Sequence, residues 1–393
     1  MAAPRARASW LQNGVWSFRP EGTRRTALIH VPSHWTHGAC FRYPRAWEAV
    51  RRGTYERSLR LPGFAADRLC RVRFEAVMLR CDVFLDDVRI GGHAGGFTPF
   101  TCEIPAALWR THAGDTARLR VEVESAHAAF VAAGVTHMVG YPDASEEGPL
   151  PGGIWQSVWL ETLPRCHISG WHVRYDHARH EAAFQIELAN GTGRRFAGEA
   201  VMSGGRRAQR LHLAIPANVA AGGRMVASGR LRLPPALRPW SPRDPRLYEL
   251  ELSLVAAGEE QDCLPIRVGF RSTAVRGRDL LVNGVPTRLF GISLIRHRVA
   301  PYLWRRDYLE CYFGALRSLG FNALRLHAAI APDIVLRVAD EMGLMLIDQS
   351  AIWSTLVGGY TAAGQSFLEN TKREFGEWVR RDRNHPAVVA WDV

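Results

Sequence analysis

The chain has 393 residues, of which 47% are apolar and 22% charged, and its formal net charge is +12. That length admits two or three domains, and the composition is ordinary for a soluble globular protein. No run reaches the ~18 apolar residues of a membrane span, so no membrane partner is expected. Met1–Trp10 lacks the apolar centre of a secretory signal, which predicts a cytoplasmic location.

The positive charge is almost entirely arginine, with Lys372 the only lysine. These arginines are scattered and form no run of five or more, so no nucleic-acid partner is expected. Seven cysteines (Cys40, Cys70, Cys81, Cys102, Cys166, Cys263 and Cys311) form no CxxC pair and no metal-ligand spacing. Free thiols, no metal and no cofactor are the expectation.

In chain order, the first ~165 residues read as short strands with turn punctuation. Val72–Val77, Cys81–Asp86 and Leu119–Glu124 alternate apolar and polar residues, and Asp86-Asp87 marks a turn. Side chains alternate faces along a strand, so this pattern predicts a sandwich with one face of each sheet packed inward. Residues 166–273 alternate again, at Phe184–Leu188 and Leu247–Leu254, with Pro234-Pro235 and Pro242 between strands. They suggest a second, immunoglobulin-like sandwich, although the sequence does not separate that from another small β fold.

After about Thr273 the period changes. Arg288–Ile292 is a strand candidate. From Trp304 to Leu319, residues Tyr308, Leu309, Tyr312, Phe313, Leu316 and Leu319 share one helical face, and Gly320 stops it. Strand Phe321–Leu326, helix Pro332–Met342 and strand Leu344–Ile347 follow. Ser366 and Glu369 have capping-box spacing, opening a helix to about Arg383. Ala387–Val393 is a last strand. Fourfold alternation of strand and helix predicts a parallel α/β array.

Several separated segments resemble glycoside hydrolase family 2 in the expected order. They are Asn13-Gly14-Val15-Trp16-Ser17-Phe18, Val31-Pro32-Ser33-His34-Trp35, Tyr55–Arg57 with Leu61-Pro62, Arg73–Val77, Asp82–Asp86, Gly95–Phe100, Gly152–Leu160, Gly269–Arg271 and Leu281–Pro286. The series ends in Asp382-Arg383-Asn384-His385-Pro386, running on to Trp391. The resemblance implies a multidomain β plus α/β chain. Its parts would be a jelly-roll β-sandwich over 1–165, an immunoglobulin-like β-sandwich over 166–273, and the first half of a (β/α)8 TIM barrel over 274–393. It also implies a retaining hydrolase of terminal β-glycosides, with β-galactosides or β-glucuronides foremost and β-mannosides behind. The substrate would be a carbohydrate, with no cofactor, and a homo-oligomer of the full-length protein is compatible with it. Such enzymes use two carboxylates ~5–5.5 Å apart. By resemblance the acid/base Glu would follow shortly after Val393 and the nucleophile much later, so the 393-residue fragment is expected to be inactive. Half a barrel would also leave open strand edges and an uncovered apolar face.

The active face of such a barrel is made by the C-terminal ends of its strands. That rule selects Arg325, His327, Asp348, His297 and Trp353 as substrate-binding candidates. Arg325 matches the family's strand-end arginine. A guanidinium there favours ionised carboxylates beside it. His327 and His297 are histidines just past strand ends. Asp348 can accept sugar hydroxyls, with a loop-capping role as its alternative. Trp353 offers a stacking face, against the commoner fate of a packed loop tryptophan. Asn384 and His385 read as bracing residues, and Trp391 is expected in or near the barrel mouth. The thirteen tryptophans are otherwise expected in cores rather than in a lectin site. A non-catalytic carbohydrate-binding protein is the rival reading.

Overall fold

The computed structural model describes residues 7–126, 128, 137–138, 151–205, 209–295, 300–327, 329–351, 355–356 and 362–393. His297 and Trp353 lie outside the described residues. The architecture is mostly β with few helices.

Residues 8–164 form two antiparallel sheets. One has four strands in the order Ala8–Leu11, Val158–Pro164, Arg68–Phe74, Phe100–Ile104. The other has six, in the order Ala27–Val31, Gly14–Pro20, Arg52–Arg60, Thr116–Glu124, Arg80–Leu85, Val88–Ala94. The alternation in the sequence explains the burial. Leu119, Val121 and Val123 enter the core beside Val83 and Leu85, while Arg118 and Glu122 face out. Asp86 takes positive φ at the turn between Arg80–Leu85 and Val88–Ala94, a conformation Asp tolerates better than most residues.

Residues 166–268 form a second sandwich of three and four antiparallel strands. The orders are Cys166–Asp176, Glu181–Asn190, Arg224–Arg232, and Leu211–Val219, Phe196–Gly204, Tyr248–Ala256, Glu259–Val268. Ile186, Leu188, Met202, Leu252 and Leu254 close its core. A small antiparallel sheet follows, turned at Asn283-Gly284, where both residues have positive φ as a two-residue hairpin turn requires.

The last segment is a four-stranded parallel sheet in chain order: Gly291–Leu294, Ala323–Leu326, Met345–Gln349, Val388–Asp392. Helices Arg306–Ser318, Asp333–Met342 and Ala362–Asp382 connect these strands. The boundaries differ from the sequence expectation. The first strand is Gly291–Leu294 rather than Arg288–Ile292, and the last is Val388–Asp392. Trp304 ends a separate 3-10 turn, Pro301–Trp304. Only Leu309, Phe313 and Leu316 of the helical stripe are buried, whereas Tyr308 and Leu319 are exposed. The capping-box pair Ser366 and Glu369 lies inside a helix that begins at Ala362. Among the described residues no helix is long and apolar enough to cross a membrane.

A small separate core joins the first sandwich to the parallel sheet. Met78, Phe97 and Trp155 meet Ala329, Ile330, Ala351 and Trp378 there. Six tryptophans (Trp16, Trp35, Trp109, Trp155, Trp240 and Trp378) are fully buried, as expected of core residues.

Candidate active site at the strand ends

Strand register decides what stands together. Ser293, Arg325, Ile347 and Ala390 are neighbours across the four parallel strands. Ser293 is exposed and the other three are partly buried, whereas Leu324, Leu326 and Leu346 are fully buried with the helices. Successive residues alternate faces, so one face of the sheet is packed by helices and the other is open. Arg325 lies on the open face. Its Nε donates to Asp392 Oδ2 at 2.8 Å, and its Nη1 donates to His327 Nδ1 at 3.0 Å. The pair spans from the second strand to the fourth, and about a third of each side chain is exposed (37% and 34%). The structure thus brings Arg325 and His327 together at the C-terminal end of the sheet, as the strand-end rule anticipates. It adds Asp392, which the sequence reading passed over although it follows Trp391 directly.

Asp348 stands elsewhere. Its place is one residue out of phase with Arg325, so it points at the helix layer and is 0% exposed. Oδ2 accepts the Trp378 indole N–H at 2.8 Å. Burial, and then the neighbouring Asp382, push its carboxyl well above the usual range, against the pull of Arg381. A side chain with no exposed surface does not reach a sugar, so the expected substrate contact of Asp348 is corrected by strand phase. Trp391 shares that phase. It packs edge-on against Trp378, ring centroids 5.0 Å apart at 79°, and keeps 38% of its surface exposed.

Asp382-Arg383-Asn384-His385-Pro386 does structural work at a three-way junction. Asn384 donates from Nδ2 to Trp171 O at 2.9 Å and accepts from the Val173 N–H at 3.2 Å, fastening the second sandwich. Arg383 reaches Glu187 at 2.9 Å. His385 Nδ1 meets Asp340 Oδ2 at 2.6 Å, and Nε2 stands 3.4 Å from Asp333 Oδ1. Burial works to lower the His385 pKa, but the two carboxylates outweigh it and raise it to about 10. Asp340 also accepts the Ala387 backbone N–H at 2.9 Å. Pro386 presses so closely on Gly269 that a Cβ there would stand 2.5 Å from its ring. The bracing role read for Asn384 and His385 therefore has a definite target: the seam between a sandwich and the sheet.

A cleft of about 770 Å³ opens along this seam, lined by eight arginines among other residues. Each has a partner. Arg7 pairs with Asp262, Arg71 with Glu161, Arg73 with Glu75, Arg267 with Glu341, Arg337 with Asp333, Arg380 and Arg383 with Glu187, and Arg381 with Asp382. On the second sandwich, Glu251, Glu260 and Cys263 bring one ligand atom each within 4.8 Å of one another, a cluster the sequence spacing did not reveal. Burial pushes the Cys263 thiol up to about 12, which works against the thiolate a metal would need.

Residues 166–271 match the family model of glycosyl hydrolases family 2. Among curated relatives, the β-glucuronidase of Sus scrofa is 34% identical over 189 residues, 44% of this chain and 28% of that protein. The β-galactosidase of Thermoanaerobacter pseudethanolicus is 24% identical over 338 residues, 82% of this chain and 42% of that protein. Among solved structures, the family 2 β-galacturonidase of Eisenbergiella tayi shares the fold at a TM-score of 0.80 and 21% identity, over 98% of this chain and 64% of that one. The β-glucuronidase of Bacteroides uniformis does so at 0.78 and 20%, over 98% and 46%. The chain spans less than half the length of the curated relatives it matches. The match over the second sandwich, the relatives and the shared fold all support membership of glycosyl hydrolases family 2.

Proposed function

We propose that the whole protein is a retaining hydrolase of terminal β-glycosides, with β-glucuronides the first substrate class and β-galactosides the second. The observation that carries this reading is the Arg325–Asp392–His327 group on the open face, at the C-terminal ends of parallel strands. Polar groups gathered at that end of a parallel sheet form the usual catalytic and binding face. β-Glucuronides stand first because the relatives above 30% identity are β-glucuronidases. Arg325 and His327 are assigned to the substrate side, with Asp392 orienting Arg325. His297 and Trp353 remain candidates from the resemblance. The architecture belonging to this reading is a jelly roll over 1–165, an immunoglobulin-like sandwich over 166–273 and the first half of a (β/α)8 barrel over 274–393.

The 393-residue chain by itself is proposed to be inactive. Asp392 is engaged by Arg325 and Asp348 is turned into the helix layer, so these two acids do not form the facing pair that double displacement needs. Sugar binding without catalysis, the rival reading, gains no support from any observation on the open face. The test uses the complete natural reading frame against chromogenic β-glucuronides, β-galactosides and β-mannosides, with NMR of the first-formed anomer. Release of a β-anomer from the β-glucuronide is expected. Turnover of none of the three glycosides, or inversion, would end the proposal.

A further inference from the structure

Asp348 and Asp382 are both fully buried acids, and they lie beside each other beneath the open face. Asp382 accepts two bonds from Arg381, Nε to Oδ1 at 2.5 Å and Nη2 to Oδ2 at 2.6 Å, a bidentate pairing. Asp348 has no cation of its own. Its Oδ2 takes the Trp378 N–H, while its buried Oδ1 meets no donor. Two buried carboxyl groups beside one guanidinium disfavour double ionisation, which favours keeping one proton between them. The oxygen with room for it is Asp348 Oδ1, and Asp382 is the hydrogen-bond partner beside it. Trp378, Arg381 and Asp382, which act on Asp348, all come from helix Ala362–Asp382.

The consequence reaches the open face. Trp378, held by Asp348, packs edge-on against Trp391 of the last strand. The next residue, Asp392, holds Arg325. We infer that Asp348 is a positioning residue, a neutral carboxylic acid whose Oδ1–H donates to Asp382 while Oδ2 holds Trp378, so that Trp391 and the Asp392–Arg325 pair keep their places. Only the last link, to substrate turnover, rests on the proposed glycosidase.

The neutral acid makes the same pattern as an asparagine: one N–H for Asp382, one oxygen for Trp378. Asp348→Asn should therefore melt as the parent chain does and keep its tryptophan near-ultraviolet circular dichroism. Asp348→Ala should lose that signal. Infrared difference spectra of the 393-residue chain, parent minus Asp348→Asn at neutral pH, should show one carboxylic-acid carbonyl stretch that shifts in D2O. In the complete reading frame, Asp348→Ala should lower kcat by about tenfold or more with KM little changed, and Asp348→Asn should restore it. Absence of the carboxylic-acid band, or an asparagine variant that behaves like the alanine variant, overturns the inference. The infrared and melting results hold whether or not the complete protein cleaves glycosides, so a failed substrate assay does not decide them. If Asp348→Ala does not fold, the asparagine difference spectrum alone decides the proton.

Discussion

The Arg325–Asp392 pair keeps about a third of each side chain in water (37% and 34% exposed). Solvent screens such a pair, so its worth to folding is of the surface kind, ~0–1 kcal/mol. Asp392→Ala should therefore change the unfolding free energy of the chain by less than about 1 kcal/mol, while reducing turnover in any active complete protein. A larger loss of stability would mean that Asp392 also holds the sheet. His385 is the opposite case, buried between Asp340 and Asp333. Removing it leaves Asp340 buried without its cation, and His385→Gln should cost about 3–5 kcal/mol in urea denaturation at neutral pH. The pH dependence follows from the direction of the shift. His385 is raised from 6.5 to about 10, so its contribution is complete below pH 6.5 and is lost as pH climbs through 10. The parent chain should lose stability over that range and the His385→Gln variant should not follow it. Asp333 behaves in the reverse sense. Burial works to raise it, but His385, Arg337 and Arg381 together hold it below the usual carboxylate range. Its contribution is present above the ordinary carboxylate pKa and is lost on acidification beneath it.

At the scale of elements, helix Asp333–Met342 shows what local sequence specifies well. Its amphipathic spacing buries Val335, Leu336, Val338 and Ala339, and Gly343 ends it in the left-handed conformation at φ +72. A Cβ at Gly343 would stand 2.5 Å from Pro242 O. Gly343→Ala combines backbone strain with that contact and should lower stability by about 1–3 kcal/mol; an unchanged thermal midpoint would contradict the close approach. Helix Ala362–Asp382 shows what local sequence leaves open. The Ser366–Glu369 spacing has the form of a start signal, yet the helix begins four residues earlier. A capping pattern marks a start only where the preceding backbone leaves the helix, and no local rule enforces that here. The stripe on Arg306–Ser318 was legible in its centre, at Leu309, Phe313 and Leu316. Its margins, Tyr308 and Leu319, were not, because how far a neighbour wraps round a helix is a property of the neighbour.

Across the whole molecule, the first sandwich and the parallel sheet are fastened by side chains from helix Ala362–Asp382. Arg381 donates to Phe97 O at 3.0 Å and Ala331 O at 2.7 Å while pairing with Asp382. Glu374 accepts the Phe97 N–H at 3.0 Å, and Glu377 joins Thr98 Oγ1 at 2.6 Å and His93 Nε2 at 3.1 Å. These bonds give the Gly95–Phe100 segment a structural part: Phe97 and Thr98 dock it on the helix. Arg381→Met should remove the link and strand Asp382 as a buried charge, at a cost of about 3–5 kcal/mol. Calorimetry should then resolve two transitions where one is expected for the parent chain, since the sandwich would no longer be coupled to the sheet. A single transition at the parent temperature would show that the apolar contacts around Trp155 and Trp378 suffice.

Legible in the chain alone were the strand-rich first two segments, the change to strand–helix alternation near Thr273, the buried tryptophans and the family resemblance. All of these rest on periodicity and local motifs, which are properties of neighbours along the chain. The sequence also placed Arg325 and His327 at a strand end. It took the folded chain to show that Asp348 faces the helices, that Asp392 holds Arg325, and that Asn384 and His385 fasten a seam. A strand shows which residues share a face but not which face is covered, and an ion pair across 67 residues of chain exists only after the strands have paired.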